Sequence, residues 1–319
     1  MTRTTRIKKR LGSSQGLLGT LILISSVSTI IISSLFFPEK LSSSVADGLR
    51  LAVGKIIPVI FPSLILSDLA VHFGRGSYLN VLSTPASKIC GVKSGCAGIL
   101  FFGLIAGFPT GAKMSYDAYK NGIIEKRECE RMMALANNPS LPFVIGVIGG
   151  MFLESTHLGA FLYLGMIFGV ILSAHLTDKK RHTTDFKQFI PRQSYSFVDS
   201  VKKAAEISIN VTAFIATFSM ITKIITSVIN SEQLILIAVS FLELTSASEH
   251  ISDLCTVSLY FKILLVGFSI GFSGLCAILQ SFAVISKNDD ISLKRILIFK
   301  LVQGICTALV SLLLLFLFI

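Results

Sequence analysis

Residues 98–143 read GILFFGLIAGFPTGAKMSYDAYKNGIIEKRECERMMALANNPSLPF, and this stretch interrupts its own hydrophobic runs. The apolar run is cut at residues 107–111 (GFPTG), and a second cut follows at residues 137–139 (NNP). Lipid cannot hydrogen-bond free backbone N–H and C=O groups, so broken helices at membrane depth persist only where they line a cavity or a polar path. The stretch therefore predicts a helical membrane protein whose backbone breaks form a polar site.

The composition extends this prediction to the whole chain. The 319 residues are 52% hydrophobic and only 15% charged, whereas a soluble domain carries about 25% charged residues. A spanning helix needs about 20 mostly apolar residues, and long uncharged runs recur at residues 16–38, 132–153, 207–222, 263–286 and 301–319. We predict an all-α polytopic membrane protein in a lipid bilayer, with roughly eight to ten embedded helices, some of them re-entrant.

The net charge of +11 is explained by membrane topology. Basic residues gather before the first apolar run, at residues 3–10, and in the polar loop at residues 177–196. Cytoplasmic segments carry an excess of Lys and Arg, so both segments should face the cytoplasm. These residues do not form one basic face, and we expect no nucleic acid as a partner. Residues 17–37 exceed a signal-peptide apolar region of about 7–15 residues, which favours an uncleaved anchor.

The chain contains an internal repeat. Residues 99–108 (ILFFGLIAGF) align with residues 263–272 (ILLVGFSIGF) through the initial Ile-Leu, both glycines and the final Phe. Each copy then continues into a small-residue break, and interrupted helices in matching positions of two halves indicate the solute site of a transporter. We predict a basic segment and first anchor at residues 1–40, a first repeat at 41–176, a basic loop at 177–196 and a second repeat at 197–319.

The first break holds the strongest candidate residues for binding. Gly107 and Gly111 allow close backbone approach or a positive φ, and Pro109 ends the incoming helix. Thr110 can begin a half-helix whose N-terminus attracts an anion, and Lys113 adds a positive charge one turn further on. We predict that these residues bind a solute. The alternative is a proline kink with Lys113 extending to the membrane interface.

Further candidates lie at the later breaks. Asn137 and Asn138 are two adjacent amides, and helix capping explains only one of them, so we predict solute contact with capping as the alternative. Glu243 follows an apolar run. A carboxylate in the membrane indicates a proton, cation or substrate site by default, and the alternative is a helix end in water. Ser273 and Gln280 make the second broken span polar.

No enzyme motif is present in the sequence. The chain has no Ser/His/Asp set, paired carboxylates or phosphate loop with useful spacing. Its six cysteines form no CxxC pair, and its five histidines show no metal-ligand spacing. We therefore expect no catalytic residues, no metal and no cofactor, and we expect that the protein is not an enzyme.

Four motifs together resemble a known family. They are GFPTGAK at residues 107–113, YxNGxI at 119–124, ANNPS at 136–140 and ELTS at 243–246. In this combination the chain resembles the YlbJ-type (SpoVV) sporulation integral membrane proteins of endospore-forming Firmicutes, from about Asp47 to the C-terminus. That family is built from two nucleoside-recognition, or Gate, domains. They are similar to the core of concentrative nucleoside transporters and to the membrane part of ferrous iron transporters.

The resemblance implies a role late in sporulation, in the membrane around the forespore, where the family is proposed to carry dipicolinic acid towards the developing spore. We accordingly predict a transporter of a small anionic solute, with two inverted Gate-type repeats. The predicted site residues are Gly107, Pro109, Thr110, Gly111, Lys113, Asn137, Asn138, Glu243, Thr245 and Ser273. Two alternatives stay open, a nucleoside or nucleobase transporter and a non-transporting membrane scaffold for spore-envelope assembly. The sequence also leaves a homo-oligomer open.

Overall fold

The computed structural model describes residues 37–73, 87–92, 96–177, 196–253, 257–282 and 291–318. Every regular element in these ranges is helical, and five helices are long and apolar enough to cross a membrane. Three shorter apolar helices accompany them in the same ranges. The predicted all-α polytopic membrane fold is thus confirmed. Apart from their edge residues, the predicted anchor and the basic loop at 177–196 lie outside the described residues.

The helices follow one another in two series. The first series comprises α1 (Pro38–Leu51), the π-helical segment π1 (Ala52–Ile56), α2 (Ile57–Phe73), α3 (Cys96–Ala106), α4 (Thr110–Lys120), α5 (Lys126–Leu135), the π-helical segment π2 (Phe143–Phe152) and α6 (Thr156–Thr177). The second series comprises α7 (Phe197–Val228), α8 (Glu232–Leu242), α9 (Leu244–Asp253), α10 (Leu259–Phe272), α11 (Gly274–Phe282) and α12 (Leu293–Phe318).

The first series starts with one continuous helical stretch. α1, π1 and α2 follow one another without a gap. No proline lies between Glu39 and Ile57, so nothing ends the helix there. The widened π-helical turns of π1 directly precede Pro58, and such turns adjust a helix locally without ending it.

Two kinds of backbone break occur in the described ranges. In the first kind the two helices pack against each other as a hairpin, which describes α3 with α4 and α8 with α9. In the second kind the two halves make little mutual contact and act as one interrupted helix, which describes α5 with π2 and α10 with α11. The interrupted helix α10–α11 forms a single apolar span of 24 residues.

The order of elements is the same in both series. Each contains a long helical stretch, a hairpin, an interrupted helix and a further long helix. This order pairs α3–α4 with α8–α9, whereas the sequence match paired residues 99–108 with 263–272. The match joined a hairpin helix to half of an interrupted helix, because both have small residues at similar spacing. An inverted relation between the two series stays a prediction.

Helix α12 lies between α6 and α10, and small residues bring all three close together. A Cβ added to Gly169 of α6 would lie 2.6 Å from the Cα of Thr307, and one added to Gly271 of α10 would lie 2.7 Å from the Cβ of the same residue. Gly165 forms a G-x-x-x-G pair with Gly169 on α6, and Gly267 forms one with Gly271 on α10. Membrane helices approach closely at this spacing of small residues. The core therefore depends on small residues along α12.

Helix α5 carries three buried charged residues, Glu128, Glu130 and Arg131. Glu130 is fully buried and Arg131 is 3% exposed. The Nη1 atom of Arg131 lies 3.1 Å from Oε1 of Glu128, and Nη2 donates to the carbonyl oxygen of Ala174 at 2.8 Å. Glu130 in turn pairs with Arg295 of α12 at 2.8 Å. These contacts fix the first half of an interrupted helix to its neighbours.

Asp68 of α2 is also buried. It is 6% exposed, accepts a hydrogen bond from Oγ of Ser200 at 3.0 Å and forms an ion pair with Lys203. Both partners lie on α7, so this cluster joins α2 to the second series of helices.

Candidate solute site

All four backbone breaks line the same cavity. Gly107 lies at the tip of the first hairpin and Ser140 at the break between α5 and π2, while Glu243 lies at the tip of the second hairpin and Ser273 at the break between α10 and α11. Helices α2 and α7 supply apolar walls, including Ile60. Breaks that are up to 166 residues apart in sequence therefore meet at one place, between Gly107 and Ser273.

The cavity is small and mostly apolar. Its volume is about 40 Å³, which holds roughly three water molecules, whereas a pocket for a small organic molecule measures about 300–1,000 Å³. The structure therefore shows a closed conformation. The polar side chains in the lining are few and come mainly from the breaks: Ser63, Ser140, Glu243, Thr245, Ser273 and Gln280.

The tip of the first hairpin places backbone groups at the cavity. Gly107 has a φ of 76°, a left-handed conformation that glycine adopts easily, and a Cβ there would lie 2.7 Å from the backbone nitrogen of Ser140. The N-terminus of α4 has no side-chain cap. Its backbone N–H groups and the positive end of its dipole are therefore turned towards this break.

The predicted residues just beyond that tip lie outside the lining. Gly111 is buried against Ala136, with the Ala136 carbonyl carbon 2.5 Å from an added Cβ. Lys113 is exposed, because α4 buries the face that carries Gly111, Ala112 and Ser115. Pro109 and the half-buried Thr110 belong to the turn itself. Solute contact by these side chains stays a prediction.

Glu243 lies inside the protein and not at a helix end in water. It is 4% exposed. Its Oε1 atom accepts a hydrogen bond from the backbone N–H of Thr245 at 2.8 Å, and Oε2 accepts one from that of Ser246 at 2.6 Å. A carboxylate at a helix N-terminus is stabilised by the N–H groups and by the dipole. The N-terminus of α9 thus already binds a carboxylate of the protein itself, that of Glu243.

The two interrupted helices are joined by a buried lysine. Lys300 of α12 is fully buried. Its Nζ atom donates to Oδ1 of Asn138 at 3.1 Å and to Oγ of Ser273 at 3.0 Å. Gln303, one turn further along α12, donates to the same Oδ1 atom of Asn138. The amide predicted at the first break therefore contacts the second break through α12.

Sequence reasoning missed Lys300 and Gln303, although a signal was present. Lys300 closely follows Lys294 and Arg295, and the three together are typical of a basic cluster at a membrane interface. However, Lys300, Gln303, Thr307 and Ser311 recur at spacings of three, four and four residues, which places them on one helix face. A polar stripe of this kind in an apolar span indicates a face turned towards other protein helices.

Comparison with known proteins gives one informative match. No family model matches the chain, and no solved structure matches it. The chain is similar to the "Sporulation integral membrane protein YlbJ" of Bacillus subtilis (strain 168), with 25% identity over 337 residues that include 89% of this chain and 82% of the relative. The chain resembles YlbJ-type proteins. The resemblance predicted from the four motifs is thereby confirmed, whereas a Gate domain stays a prediction.

Two of the buried polar atoms that have no hydrogen-bond partner in the described part lie at this site. One is Nε2 of Gln280, which is 3% exposed and lines the cavity. The other is Oδ1 of Asn137, whose backbone carbonyl oxygen accepts from Oγ of Ser273 at 3.1 Å. An unpaired buried polar group costs about 1–3 kcal/mol. Such a cost in a cavity is offset when a solute supplies the missing partner.

Of the predicted site residues, the structure brings Gly107, Glu243, Thr245 and Ser273 together in the lining. Asn137 and Asn138 lie directly behind it and contact Ser273 or Lys300. The YlbJ-like motifs GFPTGAK, ANNPS and ELTS thus belong to three breaks around one cavity.

Proposed function

We propose that this chain is a membrane transporter of a small anionic solute, and that it acts in sporulation, as the name of its relative states for that protein. Dipicolinic acid is the solute that we expect, carried through the membrane around the forespore without chemical change. The observation that carries the proposal is the convergence of four backbone breaks on one closed cavity.

A transport function explains why the breaks are present. Backbone breaks and buried charges are costly in a membrane and persist where they line a pathway or a binding site. A scaffold that only holds other proteins needs neither an internal cavity nor a fully buried lysine. Transporters place their solutes where interrupted helices meet, and that is the position of this cavity.

The hydrogen-bond donors around the cavity favour an anion. The N-terminus of α4 lacks a side-chain cap, and Nε2 of Gln280 lacks a partner in the described ranges. The Nζ atom of Lys300 donates to Oγ of Ser273, which places a positive charge next to this lining residue. The opposing charge of Glu243 is balanced by the N–H groups of Thr245 and Ser246. A carboxylate that reaches Gln280 and Ser273 would therefore meet donors and a nearby cation.

The lining also suits a flat aromatic diacid. The walls contributed by Ile60, Phe108 and Val211 are apolar and match the faces of an aromatic ring, while the polar groups at the breaks match its carboxylates. Because the closed cavity holds only a few water molecules, binding requires the two hairpin tips to move apart. Transport then consists of opening this cavity to each side of the membrane in turn.

Uptake of radiolabelled dipicolinate into liposomes that contain the purified full chain tests the proposal. We expect Gln280→Leu and Glu243→Gln to lose at least about 10-fold in uptake, since each removes a polar group at the cavity. Gln233→Leu and Glu232→Gln are the matched controls, because both residues are exposed on α8, and they should behave like the wild type. Equal uptake by both pairs of variants would contradict the assigned site.

The same preparation separates the alternatives. Competition by uridine or adenosine, but not by dicarboxylates, would favour a nucleoside transporter. Folded protein that takes up no solute under any ion gradient would favour a membrane scaffold. Lys113→Met should retain uptake if the anion is held on the side of Gln280 and Lys300. A complete loss of uptake in Lys113→Met would instead indicate that the anion contacts α4.

A further inference from the structure

Lys300 occupies a site that has the ligands of a metal cation. Its Nζ atom lies 3.1 Å from Oδ1 of Asn138, 3.3 Å from the carbonyl oxygen of Gly271, 3.0 Å from Oγ of Ser273 and 3.3 Å from Oε1 of Gln303. All four ligands are neutral oxygens. In the described part of the chain, no carboxylate lies within ion-pair distance of this fully buried ammonium group.

Such a set of ligands is typical of a coupling-ion site. In transporters, carbonyl oxygens at the interruptions of helices coordinate Na⁺ or H⁺. Here the carbonyl of Gly271 and the hydroxyl of Ser273 come from the break between α10 and α11, and the amide of Asn138 comes from the break between α5 and π2. A lysine ammonium is a compact point charge and fills the position that a small free cation would take.

We propose that the ammonium group of Lys300 is a tethered coupling cation, which replaces a free sodium ion between the two interrupted helices and responds to protons. This inference rests on the proposed transport function. When Lys300 is protonated, it holds Asn138, Gly271 and Ser273 together and the cavity is closed. Proton loss removes the charge that draws these oxygens together, which allows the two breaks to separate.

Three charged side chains on the packed helices contact groups other than Lys300. On α12 itself, Arg295 lies five residues before Lys300, about 7.5 Å along the axis, and pairs with Glu130 of α5. On α5, Arg131 also pairs with Glu128. On α10, Lys262 donates to the carbonyl oxygen of Ser252 at 2.8 Å.

On α6, His157 is exposed, and the two other titratable side chains contact backbone carbonyl oxygens. Tyr163 donates to the carbonyl oxygen of Leu104 at 3.1 Å. His175 is exposed and contacts the carbonyl oxygen of Ile171 at 2.8 Å. Lys300 contacts the breaks of both interrupted helices.

Thermal unfolding of the purified full chain in detergent tests the cation site without any solute. The Tm is measured at equal ionic strength in sodium chloride, potassium chloride and choline chloride. Wild-type protein should have the same Tm in all three salts. Lys300→Ala opens the oxygen-lined site and should gain a saturable, Na⁺-specific rise in Tm of about 2 °C or more. Lys300→Met keeps the site filled and should not gain it.

Lys223→Ala is the matched control, because Lys223 is exposed on α7, and it should respond like the wild type. A Na⁺-specific rise in the wild type would overturn the proposal, and so would a folded Lys300→Ala variant with equal Tm values in the three salts. If Lys300→Ala does not fold, the wild-type comparison decides the question.

Uptake measurements keep this inference separate from the proposed function. In wild-type liposomes, a proton gradient without Na⁺ should change dipicolinate uptake, and a Na⁺ gradient alone should not. Absence of any dipicolinate uptake would contradict the expected solute and leave the Tm result standing. Uptake that requires Na⁺ would confirm transport and overturn the role of Lys300.

Discussion

The hydroxyl Oγ of Ser273 donates a hydrogen bond to the backbone carbonyl oxygen of Asn137 at 3.1 Å, across 136 residues of sequence. Ser273 has a φ of 69°, where its helix is interrupted, and Asn137 lies where α5 has ended. A carbonyl oxygen freed by a break needs a partner inside a membrane protein. Each interrupted helix therefore supplies a group that the other needs, and the two breaks behave as one structural unit.

Asn138 is the residue of this unit whose loss should be most visible in stability. Its Oδ1 atom accepts from Lys300 and Gln303, and its Nδ2 atom donates to the carbonyl oxygen of Leu135 at 2.6 Å. Asn138→Ala removes the acceptor of Gln303 and one of the acceptors of Lys300, and should lower the free energy of unfolding by about 1–3 kcal/mol. The Tm in detergent measures this. Asn210→Ala, at an exposed position on α7, is the control, and equal Tm values for the two variants would contradict the prediction.

Gly107 should be needed for its lack of a side chain as well as for its conformation. Gly107 and Gly122 both have a positive φ, 76° and 70°, so alanine costs roughly 1–2 kcal/mol of backbone strain at either position. A Cβ at Gly107 would also lie 2.7 Å from the backbone nitrogen of Ser140, whereas one at Gly122 would meet no atom within 4 Å. Gly107→Ala should therefore lower both Tm and solute uptake more than Gly122→Ala. Identical losses of Tm and uptake in the two variants would show that the positive φ alone, and not the contact with Ser140, causes the effect.

The breaks could be predicted because their causes are local. Pro109 removes a backbone donor and Gly107 permits a positive φ whatever surrounds them, so the sequence alone located the tip of the first hairpin. The direction in which a lysine points is not local. Lys113 and Lys300 are the same residue type, yet one is exposed and the other fully buried. The difference arises from which helices cover each position, and distant parts of the chain supply those helices.

The sequence match and the order of elements pair the two series of helices differently, for a related reason. Small residues at regular spacing serve both a hairpin helix, such as α3, and half of an interrupted helix, such as α10. Gly103 of α3 approaches Ala136, and Gly271 of α10 approaches Thr307. The glycine pattern reports close packing in both cases and does not identify the type of break.

Gly169 should be essential for the contact between α6 and α12. A Cβ there would lie 2.6 Å from the Cα of Thr307, so the two helices would have to separate. We expect Gly169→Ala to destabilise the protein by about 1–3 kcal/mol, as overpacking does. Gly98→Ala is the control on another helix, where a Cβ meets no atom within 4 Å, and its higher helix propensity should leave Tm unchanged or raise it. A Gly169→Ala variant as stable as Gly98→Ala would mean that this contact adapts freely.

Arg131 and Arg50 offer a direct comparison of a buried and an exposed ion pair. Each arginine pairs with an acid three residues earlier, Arg131 with Glu128 at 3.1 Å and Arg50 with Asp47 at 3.4 Å. The Arg131 side chain is 3% exposed and that of Arg50 is 81% exposed. Removing one partner of a buried pair costs about 3–5 kcal/mol, because the other charge stays buried without compensation. An exposed pair contributes about 0–1 kcal/mol.

Arg131→Met should therefore lower Tm strongly, whereas Arg50→Met should change it little. The effect at Arg131 is increased by the loss of its hydrogen bonds to the carbonyl oxygens of Gly91 and Ala174, both at 2.8 Å. The bond to Ala174 fixes α5 to α6. Double variants with Glu128→Gln and Asp47→Asn complete a thermodynamic cycle at each pair. A coupling free energy near zero at the buried pair, or equal couplings at both pairs, would show that burial does not strengthen this interaction.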